Sequence, residues 1–140
     1  MSRINVARVF LGGLLTGLVL NIGEFVLNEV LFVDQMEEII RRLNTPRPGA
    51  KFITVAVILT FLLGIVIVWL YAMIRSRFGP GPKTAVIAGF IVWFCIYFYA
   101  GVLNSVLFNM PLNLLLLGVV WGFFEYVMAA LAGASLYKEL

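Results

Sequence analysis

Four apolar stretches, covering about 9–32, 52–74, 84–108 and 112–136, take up most of this 140-residue chain. Each exceeds the roughly 20 residues that a helix needs to cross a ~30 Å hydrocarbon layer. None shows the two-residue alternation of a barrel strand, so helices are predicted throughout. The chain is 63% hydrophobic and 12% charged, against about 25% charged in soluble domains. A core of this size has no room for so much apolar surface. The sequence therefore predicts an all-α, polytopic membrane protein with four transmembrane helices and the lipid bilayer as its first partner.

Arg3 and Arg8 precede the first apolar run as in a signal sequence, but that run is too long and continues through Asn21 and Glu24. No small-x-small cleavage site follows, and the expectation is an uncleaved first helix. Flanking charges set the expected topology. With both termini cytoplasmic, that side carries Arg3, Arg8, Arg75, Arg77, Lys83 and Lys138, and the other side Arg41, Arg42, Arg47 and Lys51. The excess favours a multi-pass protein of the cell inner membrane with both ends inside.

A single cysteine, Cys95, excludes an intramolecular disulfide, and with no histidine the usual haem, zinc and iron–sulfur ligands are missing. No metal and no cofactor is expected. The sequence contains no nucleophile–base set and no phosphate-binding glycine loop, so enzymatic activity is not expected either. The net charge of +3 comes from the membrane flanks, and nothing points to nucleic acid.

Residues 26–32 read Val-Leu-Asn-Glu-Val-Leu-Phe, and 102–108 read Val-Leu-Asn-Ser-Val-Leu-Phe, a match at six of seven positions. Leu62-Leu-Gly-Ile-Val66 likewise resembles Leu116-Leu-Gly-Val-Val120. Two repeated helical hairpins, 1–76 and 77–140, would explain both matches and would relate by an axis along the membrane normal. Chance similarity between Leu/Val-rich helices is the competing explanation. Between the first two spans, about 34–44 reads as a short amphipathic helix. Asp34 and Glu37 give it a capping-box-like start, Met36, Ile39, Ile40 and Leu43 share a face, and Asn44-Thr-Pro-Arg-Pro-Gly49 stops it. Too short to span, it is expected at the membrane surface, either as a lid over a cavity or as a plain linker.

Two carboxyl groups fall inside the apolar runs, Glu24 in the first and Glu125 in the last. An acidic group mid-membrane costs about 2.5 kcal/mol or more on insertion scales, and such a group marks a functional site by default. On the first helix Gly13, Gly17, Asn21, Glu24 and Asn28 recur every three or four residues and form one stripe. Gly118, Gly122, Glu125, Ala129 and Gly133 do the same on the fourth, and Gly89, Trp93, Tyr97, Gly101 and Asn104 on the third. The glycines let helices approach closely, so Gly13, Gly17, Gly118 and Gly122 are read as helix-packing positions. Glu24, Asn21, Asn28, Glu125, Asn104 and Tyr97 are read as binding residues, lining the bundle interior or a dimer interface. No intramembrane Lys or Arg neutralises either glutamate, which suits exchange of a proton or a cation. The plainer alternative is that each glutamate only hydrogen-bonds a neighbouring helix. Trp69, Tyr71 and Tyr137 fit an aromatic belt at the inner interface.

The Gly-rich third helix ending in Asn104-Ser-Val-Leu-Phe108, then Pro111-Leu and a fourth helix finishing Ala132-Gly133, resembles a family of uncharacterised four-helix bacterial membrane proteins known as a domain of unknown function. The first helix lacks a Trp-Tyr-x-Pro segment near its outer end, a departure from that family's pattern. The resemblance implies the architecture and no activity. Two functions stay open. One is proton- or cation-coupled binding or transport of a small or lipophilic solute, by a homodimer or other homo-oligomer. The other is a non-catalytic subunit or assembly factor of a larger membrane complex.

Overall fold

A computed structural model describes residues 3–139, and all their regular structure is helical. Four helices are long and apolar enough to span: α1 (Val6–Leu31), α3 (Ala50–Phe78), α4 (Pro82–Leu107) and α5 (Leu112–Leu136). The short α2 (Val33–Leu43) follows α1 directly. Arginine and lysine are good helix formers, so α3 runs past its apolar segment to include Lys51, Arg75 and Arg77. Asn5 caps α1 by accepting from Arg8 N–H at 3.2 Å.

The spans form a ring in chain order. α1 packs mainly on α3 and α5, and α4 on α5 and α3, which leaves α1 and α4 on one diagonal. Glycines set the closest approaches. A Cβ on Gly13 would lie 2.5 Å from Ile65 Cα, and one on Gly17 would lie 2.7 Å from Phe61 Cα. Both glycines face α3 within the same chain, so the stripe on α1 is used inside the bundle. Gly12 and Gly133 bring α1 against α5, where Thr16 Oγ1 donates to the Ala129 carbonyl at 3.0 Å. In hydrocarbon such van der Waals contact and interhelical hydrogen bonding replace the hydrophobic drive between helices.

Packing is dense at the end that holds both termini. Val9, Val68, Ala85 and Ala88 are fully buried there. Tyr71 and Tyr137, expected in an interfacial belt, are instead buried and meet edge to face at 5.8 Å. Their hydroxyls accept from the backbone N–H groups of Gly81 and Asn5, both at 3.3 Å. Each ring thus ties a helix end to a loop, which is why it turns inward. The Gly79–Gly81 connection needs glycine, with φ of 82° and 125° at the two positions.

The opposite end is looser. Residues 51–55 of α3 are all exposed, as are Leu103, Val106 and Leu107 of α4. Phe32, buried between α1 and α2, anchors a sharp turn that lays α2 across this end. Asp34 lies within the first turn of α2, and no side chain caps the helix start. Asn44, at φ 51°, closes it in the left-handed conformation. Arg42 donates to the carbonyls of Phe108 at 3.0 Å and Asn109 at 2.7 Å, pinning α2 to the α4–α5 turn. Arg42→Ala is expected to speed amide exchange across α2 while leaving the four spans unchanged. Because the contact is exposed, global stability should change by less than about 1 kcal/mol.

Candidate functional site

α1 departs from α-helical geometry at its end and α4 just past its midpoint. The last turn of α1 (27–31) is π-helical, with Phe32 N–H donating to the Leu27 carbonyl five residues back at 2.9 Å. Phe94–Tyr99 of α4 is π-helical as well. Such turns recur at functional sites because they re-aim side chains. Here one holds Asn28 and the other holds Tyr97.

These two residues converge on Glu24. The Tyr97 hydroxyl donates to Glu24 Oε1 across the diagonal of the bundle. Asn28 Nδ2 donates to Glu24 Oε2 at 3.2 Å and to the Glu24 carbonyl at 2.8 Å. Glu24, Asn28 and Tyr97 then form part of the wall of a cavity of about 310 Å³ beneath α2. Asn104 and Ser105 of α4 add polar groups, Met36 and Ile39 of α2 roof it, and leucines of α1 and α5 supply apolar wall.

No family model, curated protein or solved structure matches the chain. The chemistry of the site therefore has to be read from its own geometry.

The remaining residues of the predicted set lie elsewhere. Asn21 turns to the α1–α3 contact, donating to its own helix at Gly17 O, 2.9 Å, and more weakly to Val57 O of α3 at 3.5 Å. A Cβ on Gly118 would meet nothing within 4 Å, and the residue lines the cavity. Gly122 makes the close approach expected of it, but to a side chain. A Cβ there would lie 2.5–2.7 Å from three ring atoms of Tyr97. Glu125 lies outside the cavity, 7% exposed, its carboxyl packed onto Gly23 of α1. The antiparallel contacts Gly12–Gly133 and Thr16–Ala129 set Glu24 about one helical turn, ~5 Å, nearer to α2 than Glu125.

Gly23, Ser105, Met36 and Ile39 were not in the predicted set. Gly23 is one residue from Glu24 and carries no signal of its own. The two α2 residues were legible as an amphipathic face but not as the roof of a polar cavity. Among the described residues no group of three or more His, Cys, Asp or Glu comes together as a metal site would require.

Proposed function

We propose that this four-span membrane protein binds a small lipophilic cation in the cavity beneath α2. Glu24 would exchange the cation for a proton, the elementary step of proton-coupled transport. The observation that carries this reading is the composition of the cavity wall. Glu24 is the one acidic residue in it, no Lys or Arg lines it, and Asn28, Asn104 and Tyr97 supply neutral hydrogen-bonding groups among apolar side chains. An apolar wall favours a guest that has already shed water, and a lone carboxylate selects positive charge. The volume of about 310 Å³ equals the space of about ten waters, enough for a small organic ion. The excess of Lys and Arg on the side of the termini supports a cytoplasmic location for both ends.

The test is titration of the protein in lipid nanodiscs with quaternary ammonium ions of increasing size, across a pH series. Proton and cation compete for one carboxyl, so affinity should rise with pH. Glu24→Gln keeps an acceptor for the Tyr97 hydroxyl and should fold normally. It should lose about 10- to 100-fold in affinity, the worth of a charge-assisted contact, together with the pH dependence. Equal binding by wild type and variant would overturn the reading. Native mass spectrometry of the same discs gives a second outcome. A stoichiometric partner polypeptide with no bound small molecule would assign the chain as a subunit of a larger complex, with its glutamates as interhelical ties.

A further inference from the structure

Glu125 is the one acidic or basic side chain among the described residues that is buried, and neither of its carboxyl oxygens has a hydrogen-bond partner. Trp121 Nε1, one turn away on α5, is buried and likewise makes no hydrogen bond of normal geometry, although it lies near enough to the carboxyl to be its donor. Native interiors leave few polar atoms in this condition, and each needs a reason. The carboxyl fits against Gly23 so closely that a Cβ there would lie 2.6 Å from its Cδ and 2.9 Å from Oε2. Toward the cavity, the Tyr97 ring is seated on Gly122 and meets Tyr126 edge to face at 5.4 Å. Tyr97 and Glu24 line the cavity, whereas Glu125 does not. The order inward is therefore cavity, Glu24, Tyr97, Glu125.

We propose that Glu125 is an inner proton-binding site in series with Glu24, and that the Tyr97 ring is the shutter between them. This rests on the cation-exchange reading of the cavity and adds a second station to it. The titratable groups that face Glu125 are Glu24 from α1, Tyr97 from α4 and Tyr126 on α5 itself. With the phenol on Glu24 the ring closes the way to Glu125. The empty volume beside Gly101 and Gly118 gives the ring somewhere to go, and the ring is carried on a π-helical turn of the kind frequent at functional sites. Once the ring leaves Gly122, water from the cavity connects the two carboxyls. The O–H bond of protonated Glu24 then breaks to a water while that water's own proton bonds to a Glu125 carboxylate oxygen. One acid and one carboxylate are present before and after, so no net charge is created.

Labelling with dicyclohexylcarbodiimide in nanodiscs at mildly acidic pH tests this. The reagent partitions into apolar regions and adds to the acid form of a carboxyl group, ending as an N-acylurea that peptide mass spectrometry locates. In the wild type Glu24 should label and Glu125 should be protected. A shutter open about 0.1–10% of the time slows labelling of Glu125 about tenfold or more. Gly122→Ala drives a methyl into the seat of the ring, and Tyr97→Ala removes the ring. Either should restore Glu125 labelling by that factor. Tyr97→Phe keeps the ring, so Glu125 should stay protected while Glu24, freed of the phenol, labels faster. Wild-type Glu125 that labels as fast as Glu24 would overturn the proposal, as would protection that persists in both Gly122→Ala and Tyr97→Ala. The cation affinity of Glu24→Gln is a separate readout, so failure of the cavity reading and failure of the shutter are distinguishable.

Discussion

Gly64→Leu is expected to disrupt the bundle more than any other single substitution considered. Gly64 of α3 sits between Gly13 and Gly17 of α1, and even a Cβ at this position would meet the Gly13 carbonyl, the Gly17 amide and, at 2.8 Å, the Gly17 Cα. All three are backbone atoms, so no rotamer change relieves the overlap and the two helices have to separate. Overpacking of ordinary cores costs about 1–3 kcal/mol. A leucine wedged between two backbones should exceed that, because helix association in lipid depends on the close contact that it removes. Alanine at the same position should fall within the 1–3 kcal/mol range. Gly118→Ala is the control. Nothing lies within 4 Å of its added carbon, and the gain in helix propensity of up to about 1 kcal/mol should leave stability equal or slightly higher. Reversible unfolding in mixed micelles of increasing SDS content measures all three. If Gly64→Leu and Gly118→Ala unfold together, the crossing of α1 and α3 at these glycines is wrong.

The same pair of glycines shows what the sequence could and could not reveal. Span positions follow from hydropathy alone, and the predicted 112–136 coincides with α5. Small-residue spacing identified Gly13 and Gly17 as contact points, since close approach needs only the absence of a side chain. It could not separate them from Gly118, where the missing side chain leaves room in a cavity. Periodicity also grouped Asn21 with Glu24 and Asn28 on one stripe. Asn21 and Glu24 lie three residues apart in the regular part of α1 and so point about 60° apart, which turns Asn21 to the α3 contact and Glu24 to the cavity, while the π-helical turn at 27–31 sets the direction of Asn28. The Tyr97–Glu24 contact depends on the order of helices around the ring and on the rotation of α4. Neither is written in local pattern. The cavity itself exists because α2 folds back over helices that spread apart, a tertiary event that no single segment encodes.

Glu125→Met should make the protein more stable. The native carboxyl is buried with only a poorly placed donor, Trp121 Nε1, beside it, and a fully unsatisfied buried polar group costs about 1–3 kcal/mol, which sets the upper limit here. Methionine fills a similar volume with no group to satisfy, so the gain should not exceed that range. Glu125→Gln keeps an unsatisfied polar head and should leave stability near wild type. Glu125→Ala should lower it by about 2 kcal/mol or more, because it empties space against Gly23. The series separates a functional carboxyl from a structural one. If Glu125 tied helices together, its loss would cost the roughly 0.6 kcal/mol typical of an interhelical hydrogen bond in membranes, and methionine would destabilise. A stabilised Glu125→Met that still exchanges cation for proton at Glu24, but takes up fewer protons per cation released, would assign the cost of the native residue to proton transfer. SDS unfolding and proton release, followed with a pH dye in weakly buffered nanodiscs, give both readouts on the same sample. A destabilised Glu125→Met would return the group to structure, because an acid that holds helices together must already have a partner.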